Sequence, residues 1–167
     1  GGAVRRRVVR CAKMNAIAKR QPGADRILLW RSGKAPQAKG YHSPSELHRK
    51  FQELSRQYPK HAKYFSLTNK YNQQKTKDGR EIYAMKISTD VDKDEPHKPN
   101  VLIVSNHHAR ELIVPELALH AATQLLASTD KGSEDASHKA VQKNQIYILW
   151  TLNPDGLHTV WHKDRMA

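Results

Sequence analysis

Hydrophobic and polar positions fall into a sustained pattern only after about residue 41. Leu47, Phe51, Leu54 and Tyr58 recur at steps of four, three and four, which makes one apolar stripe on a helix. Ahead of them, Ser43-Pro44-Ser45-Glu46 has the form of a capping box, with Ser43 as N-cap, Pro44 in the first helical position and Glu46 reaching back. Pro59 stops the helix. Segments 64–71 and 80–88 read as two strands, and Asp78-Gly79 in the polar link between them supplies the turn chemistry of a hairpin. Pro96 and Pro99 frame a surface loop. Val101-Leu102-Ile103-Val104 is an unbroken aliphatic run, the pattern of a strand covered on both faces. A helix is expected from about Leu112, with Val114, Leu117, Ala118, Ala121 and Leu125 on one face. Gly132 and its polar neighbours mark a loop, and Ile146-Tyr147-Ile148-Leu149-Trp150 reads as a second buried strand.

Strand, helix, strand at this spacing is a βαβ unit, so the fold class is α/β: a mixed, partly parallel sheet flanked by helices. Residues 1–40 carry no such period. Gly23, Gly33, Pro36 and Gly40 punctuate them, and they read as a poorly ordered leader or linker with at most a short helix over 12–19. Residues 41–167 form the organised part. There is no internal repeat.

Charge sharpens this division. The chain has 29 Lys and Arg against 16 Asp and Glu, a net +13. Residues 1–40 hold eleven of the basic side chains and one acid, Asp25, and so carry +10; the other 127 residues carry +3. A basic arm of this kind raises an alternative function, attachment to nucleic acid or an acidic surface. It offers only Trp30 for stacking and shows no nucleic-acid motif, so nucleic acid is not the favoured partner. The lone Cys11 excludes an intramolecular disulfide framework and a cysteine-rich metal site. No apolar run approaches the roughly 18 residues of a membrane span. Residues 1–40 also lack the apolar centre of a secretory signal.

In an open α/β sheet, ligands collect beyond the carboxyl ends of the strands. There the first buried strand runs into Ser105-Asn106-His107-His108-Ala109-Arg110-Glu111, and the second into Asn153-Pro154-Asp155-Gly156. His108 and Glu111 are three apart, which on a tight turn or first helical turn puts an imidazole and a carboxylate on one side, within reach of one divalent ion; nitrogen plus oxygen suits zinc. The same spacing also describes a Glu favoured at a helix start beside a surface histidine. Asn153-Pro154-Asp155-Gly156 reads as a turn that ends a strand, with Gly supplying positive φ. A further reading gathers His107, His108 and Glu111 with His158 or His162 around one metal. His48, His61, His97, His120 and His138 are expected to face solvent or cap helices.

Taken together, these segments resemble the zinc metallocarboxypeptidases of the carboxypeptidase A and B type. The resemblance rests on Tyr41-His42 before the capped helix, Tyr58-Pro59 at its close, Gly79-Arg80-Glu81-Ile82-Tyr83, Lys86-Ile87-Ser88, His108-Ala109-Arg110-Glu111-Leu112 and Asn153-Pro154-Asp155-Gly156, in that order. It implies Zn2+ as cofactor, His108 and Glu111 as its first two ligands, Arg110 near substrate, and peptide or protein C-termini as substrates. It also implies a secreted protein. Asp164-Arg165 fall where the family commonly has Asn-Arg or Asp-Arg. The third zinc ligand, the general base and the groups that clamp the substrate carboxylate have no counterpart in the 167 residues. The resemblance therefore covers the amino-terminal part of the catalytic domain and implies no catalytic residue within this chain, little or no activity alone, and self-association through an exposed sheet edge.

Overall fold

A computed structural model of the chain describes residues 40–129 and 135–163. The basic leader, its expected short helix and Asp164-Arg165 lie outside the described residues, and with the leader lies the basic-arm reading of function. Among the described residues no helix is long and apolar enough to cross a membrane.

The described residues form one mixed sheet of four strands: β1 (Ala62–Ser66), β2 (Tyr83–Ile87), β3 (Asn100–Val104) and β4 (Gln145–Leu149), in the order β1-β2-β4-β3. β1 pairs antiparallel with β2, β2 antiparallel with β4, and β3 parallel with β4. The α/β class and the parallel βαβ unit are as the sequence predicts. Between the parallel strands run α3 (Ile113–Ala127) and α4 (Ala136–Lys143); α1 (Pro44–Gln57) precedes β1, α2 (Leu67–Lys70) follows it and α5 (Pro154–Lys163) follows β4.

α1 begins as the sequence requires. Ser43 Oγ accepts from the Glu46 amide at 3.2 Å, and the Glu46 carboxylate accepts from the Ser43 amide at 2.7 Å. Its stripe of Leu47, Phe51 and Leu54 is buried on the sheet face carrying Ala62, Met85, Ile87, Ile146 and Ile148. α3 covers the same face through Ala118, Ala122 and Leu126, one position round from the expected stripe, which leaves Leu117 exposed. Small alanines at the contact bring the helix close to the sheet. The opposite sheet face is spanned by loop 88–99: the buried Lys86 ammonium donates to the Val91 and Lys93 carbonyls, at 3.3 and 3.0 Å.

Several boundaries differ from expectation, each for a local reason. The first strand ends at Ser66, whose Oγ accepts from the Asn69 amide and turns the chain into α2. The second begins only at Tyr83. Gly79 adopts the expected turn conformation at φ +78°. The loop expected around Gly132 lies outside the described residues; beyond it the chain forms α4, where Asp135 caps the His138 amide and Val141 is buried. β3 is not covered on both faces. Among the described residues it is the edge strand, paired on one side by β4, and Leu102 and Val101 are 64% and 38% exposed.

His48 is not a solvent-facing residue either. Its ring meets Tyr83 edge-on with centroids 4.5 Å apart, and its Nδ1 is 3.0 Å from Tyr64 Oη, which also accepts from Trp150 Nε1 at 2.9 Å. The Gln52 side-chain amide donates to His48 Nε2, so the neutral ring fits and a second ring proton does not. Burial lowers the His48 pKa, with Glu81 opposing. The folded pKa lies below the unfolded value of about 6.5, so the neutral ring contributes stability above that pH and loses it as pH falls toward the folded pKa. Thermal unfolding should show wild type losing stability between about pH 7 and pH 5 more steeply than His48→Gln. Parallel pH profiles would remove His48 as the cause.

The β3 edge has a second measurable consequence. Leu102 projects from a strand whose outer edge has no partner among the described residues, which invites edge-to-edge association. Leu102→Lys should lower the concentration dependence of the mass seen by light scattering; an unchanged dependence would place association elsewhere.

Candidate functional site

The carboxyl ends of β3 and β4 lie side by side, and the chain keeps them together past the strands. Ser105 donates to the Leu149 carbonyl at 2.9 Å, and Leu152 donates back to the Ser105 carbonyl at 3.0 Å. Asn106 follows, 1% exposed and in the left-handed region at φ +54°, a conformation Asn tolerates better than most residues. Its Nδ2 donates to the His108 carbonyl at 3.1 Å, and its Oδ1 accepts from Thr151 Oγ1 at 3.0 Å. One buried amide thus ties the turn after β3 to the segment after β4.

On that turn the Glu111 amide donates to the His108 carbonyl at 3.1 Å, so the two side chains emerge together. His108 Nδ1 lies 3.3 Å from Glu111 Oε1. Two ligands on a tetrahedral zinc, each about 2.0–2.2 Å from it, are separated by about 3.3–3.5 Å, so the pair fits two corners of such a site. Both side chains are open to solvent, 72% and 48% exposed, where a His–Glu ion pair contributes little to folding. Arg110 lies between them and is exposed; His107 is exposed before them. Among the described residues, no three of His, Cys, Asp and Glu converge on a common point. The reading that gathers His107, His108 and Glu111 with His158 or His162 is therefore incorrect: the latter two sit on α5 and do not join the turn.

The segment 153–156 is the start of α5 and not a turn that merely ends a strand. Asn153 caps it, its Oδ1 accepting from the Gly156 amide at 2.9 Å, while its Nδ2 donates to the His107 carbonyl at 3.3 Å. Pro154 takes the first helical position, where a missing N–H costs nothing. Gly156 is helical and needs no positive φ; what it supplies is space. A Cβ there would stand 2.8 Å from the Ala109 Cβ and 2.6 Å from Asn153 Nδ2. Asp155 faces the other way and accepts from Thr76 Oγ1, Arg80 Nη1 and the Asp78 amide at 2.7, 2.9 and 3.1 Å. Burial pushes its carboxyl up, but these donors outweigh that and hold it below the usual range.

Sequence reasoning singled out His108, Glu111 and Arg110, and missed the residues that hold their turn: Asn106, Thr151, Asn153 and Gly156. The one signal for Asn106 was its residue type, since Asn accepts left-handed backbone more readily than most.

The sequence profile described as zinc carboxypeptidase matches residues 49–167. The chain belongs to the zinc carboxypeptidase family. It is 29% identical over 110 residues to the carboxypeptidase N catalytic chain of Rattus norvegicus, covering 65% of this chain and 24% of that protein. It is also 29% identical over 113 residues to an inactive metallocarboxypeptidase of Ajellomyces capsulatus, covering 68% and 18%. The chain thus spans about a quarter or less of these curated relatives. Among solved structures, carboxypeptidase A from Helicoverpa armigera aligns with TM-score 0.60 at 27% identity, over 74% of this chain and 27% of that one. Thrombin activatable fibrinolysis inhibitor aligns in fold with TM-score 0.64 at 23% identity, over 92% and 35%. Family membership and the mixed-sheet carboxypeptidase fold agree with the sequence reading.

The close approach at Gly156 decides the sign of a simple substitution. Alanine gains about 1 kcal/mol of helix propensity over glycine. Against that, overpacking costs about 1–3 kcal/mol and loss of a side-chain cap about 0.5–2 kcal/mol. Gly156→Ala should therefore unfold at lower temperature than wild type; equal or greater stability would show that loop 107–109 yields freely.

Proposed function

We propose that His108 and Glu111 are two protein ligands of a zinc ion in a metallocarboxypeptidase centre, and that residues 41–167 are the amino-terminal part of its catalytic domain. The observation that carries this reading is the 3.3 Å approach of an imidazole nitrogen to a carboxylate oxygen, on a turn just beyond a parallel strand of a carboxypeptidase fold. When bound, zinc in such a centre polarises a carbonyl and activates water for hydrolysis of a C-terminal peptide bond. The residues of this chain hold and orient. His108 offers Nδ1, Glu111 offers Oε1, and Asn106 fixes the backbone between them through the His108 carbonyl. Arg110 presents a cation beside them, which suits the carboxylate end of a peptide substrate.

Two ligands do not make a catalytic zinc site, which takes three protein ligands and an open position. The described residues bring no third group to the pair. The 167-residue polypeptide by itself is therefore proposed to bind zinc weakly and not to hydrolyse peptides. The relatives include a protein named as a catalytic chain and one named as inactive, so membership of the family is compatible with either state.

Two measurements test this. With zinc and blocked dipeptides, the purified polypeptide should show no hydrolysis above buffer; chelator-sensitive turnover would overturn the inactive reading. In NMR of the imidazole groups, Zn2+ should shift the His108 ring signals at about tenfold lower concentration in wild type than in Glu111→Gln. Equal midpoints would remove Glu111 from the ligand set.

A further inference from the structure

We propose that the sheet face turned away from α1 carries a binding site for a small ring-bearing oxyanion, a carboxylate or phosphate on an aromatic group, between α2 and loop 91–94. A cavity of about 810 Å3 lies there, the size of an ordinary small-molecule site. The strand register builds its floor: Lys63, Lys86 and Tyr147 stand opposite one another on β1, β2 and β4, so their side chains share one face. Lys86 is 8% exposed, and its ammonium gives two of its three donors to the Val91 and Lys93 carbonyls. It forms no ion pair among the described residues, so a full positive charge is buried against neutral oxygens. Beside it, the Tyr147 hydroxyl has no hydrogen-bond partner among the described residues. Burial, with Tyr71 and Asp94 adding to it, pushes the Tyr147 pKa up, so the phenol stays a donor.

On the α2 side Lys70 pairs with no carboxylate among the described residues either. Its Nζ is held 4.4 Å from the Phe65 ring centroid and 5.4 Å from that of Tyr71. The other two lysines of the cavity are already matched: Lys63 pairs with Asp92 at 2.7 Å and Lys93 with Asp90 at 3.2 Å. That leaves Lys70 and Lys86 against the single carboxylate of Asp94, a surplus of one positive charge and of unfilled donors that one oxyanion offsets. Phe65 and Tyr71 supply ring surface for the planar part of such a ligand. No residue of the His108–Glu111 turn lines the cavity, so the site stands apart from the zinc reading.

Phenyl phosphate and benzoate are the probes, with inorganic phosphate as the control that lacks a ring, in isothermal titration of the full chain at low salt. At least one aryl anion should bind at a single site about tenfold tighter than inorganic phosphate, and the tighter of the two names the oxyanion. Lys70→Gln and Tyr147→Phe should each weaken that binding about tenfold, the loss expected for one hydrogen bond to a charged group. Both substitutions leave the Lys86 bonds to the loop in place, and far-ultraviolet dichroism checks that each variant is folded. Equal affinity in wild type and in the double variant Lys70→Gln, Tyr147→Phe would overturn the proposal. So would the absence of saturable binding at millimolar aryl anion, or inorganic phosphate binding as tightly as phenyl phosphate, which would reduce the site to surface lysines attracting any anion.

Discussion

The parallel pairing of β3 with β4 is the constraint on which the rest of the site depends. Parallel strands end at the same side of the sheet, so two segments some 45 residues apart in sequence leave it together. The ladder continues past the strands through Ser105, and the buried Asn106 then joins the two loops with one side chain. Without that register, the turn bearing His108 and Glu111 would have no fixed relation to the start of α5. With it, Ala109 and Gly156 come so close that a single added carbon has no room.

The same register is also held from the helix-covered face of the sheet. Phe51 stacks between Tyr64 and Trp150, at centroid distances of 5.8 and 6.2 Å, and so links α1 to β1 and to the end of β4. Trp150 in turn anchors its indole N–H on Tyr64. Below the carboxyl ends, the Asp155 carboxylate collects donors from Thr76, Asp78 and Arg80, which fastens the hairpin link to α5. The start of α5 is thereby held at two points, by Asn153 toward the histidine turn and by Asp155 toward the hairpin. A polar residue at each end of one helical turn does what apolar packing cannot do at an exposed surface: it fixes orientation as well as distance.

What was legible in the sequence follows from how local each signal is. The capping box of α1, the Gly79 turn and the aliphatic run of β4 are each decided by neighbours within a few residues, and all three appear where expected. The His108–Glu111 pair is equally local, being closed by one turn. α4 was hidden because its signals, an Asp cap and a single buried Val141, are short and polar around. The stripe of α3 came out one position round because period alone does not say which small residues the sheet will admit. Asn106, Asn153 and Gly156 act on partners far along the chain or across a gap of a few ångströms, and no pattern within one segment reports such a contact.

β3 shows a different kind of disagreement. Its sequence is that of a strand with apolar surroundings on both sides, yet Leu102 is mostly exposed and, among the described residues, one edge of the strand is unpaired. Register places Val101 and Ile103 beside Ile146 and Ile148 on the helix-covered face, so Leu102 necessarily turns to the other face beside Tyr147. No one-residue slip relieves this, because it would only exchange which aliphatic side chains are exposed. The mismatch is therefore built into the strand and not into its alignment. The same strand ends in the turn that carries His108 and Glu111, the two proposed zinc ligands, which no third such group joins among the described residues. An added parallel strand along the free edge of β3 would end level with that turn, since parallel neighbours share one carboxyl side. The free edge of β3 and the turn bearing His108 and Glu111 thus follow one another directly along the chain.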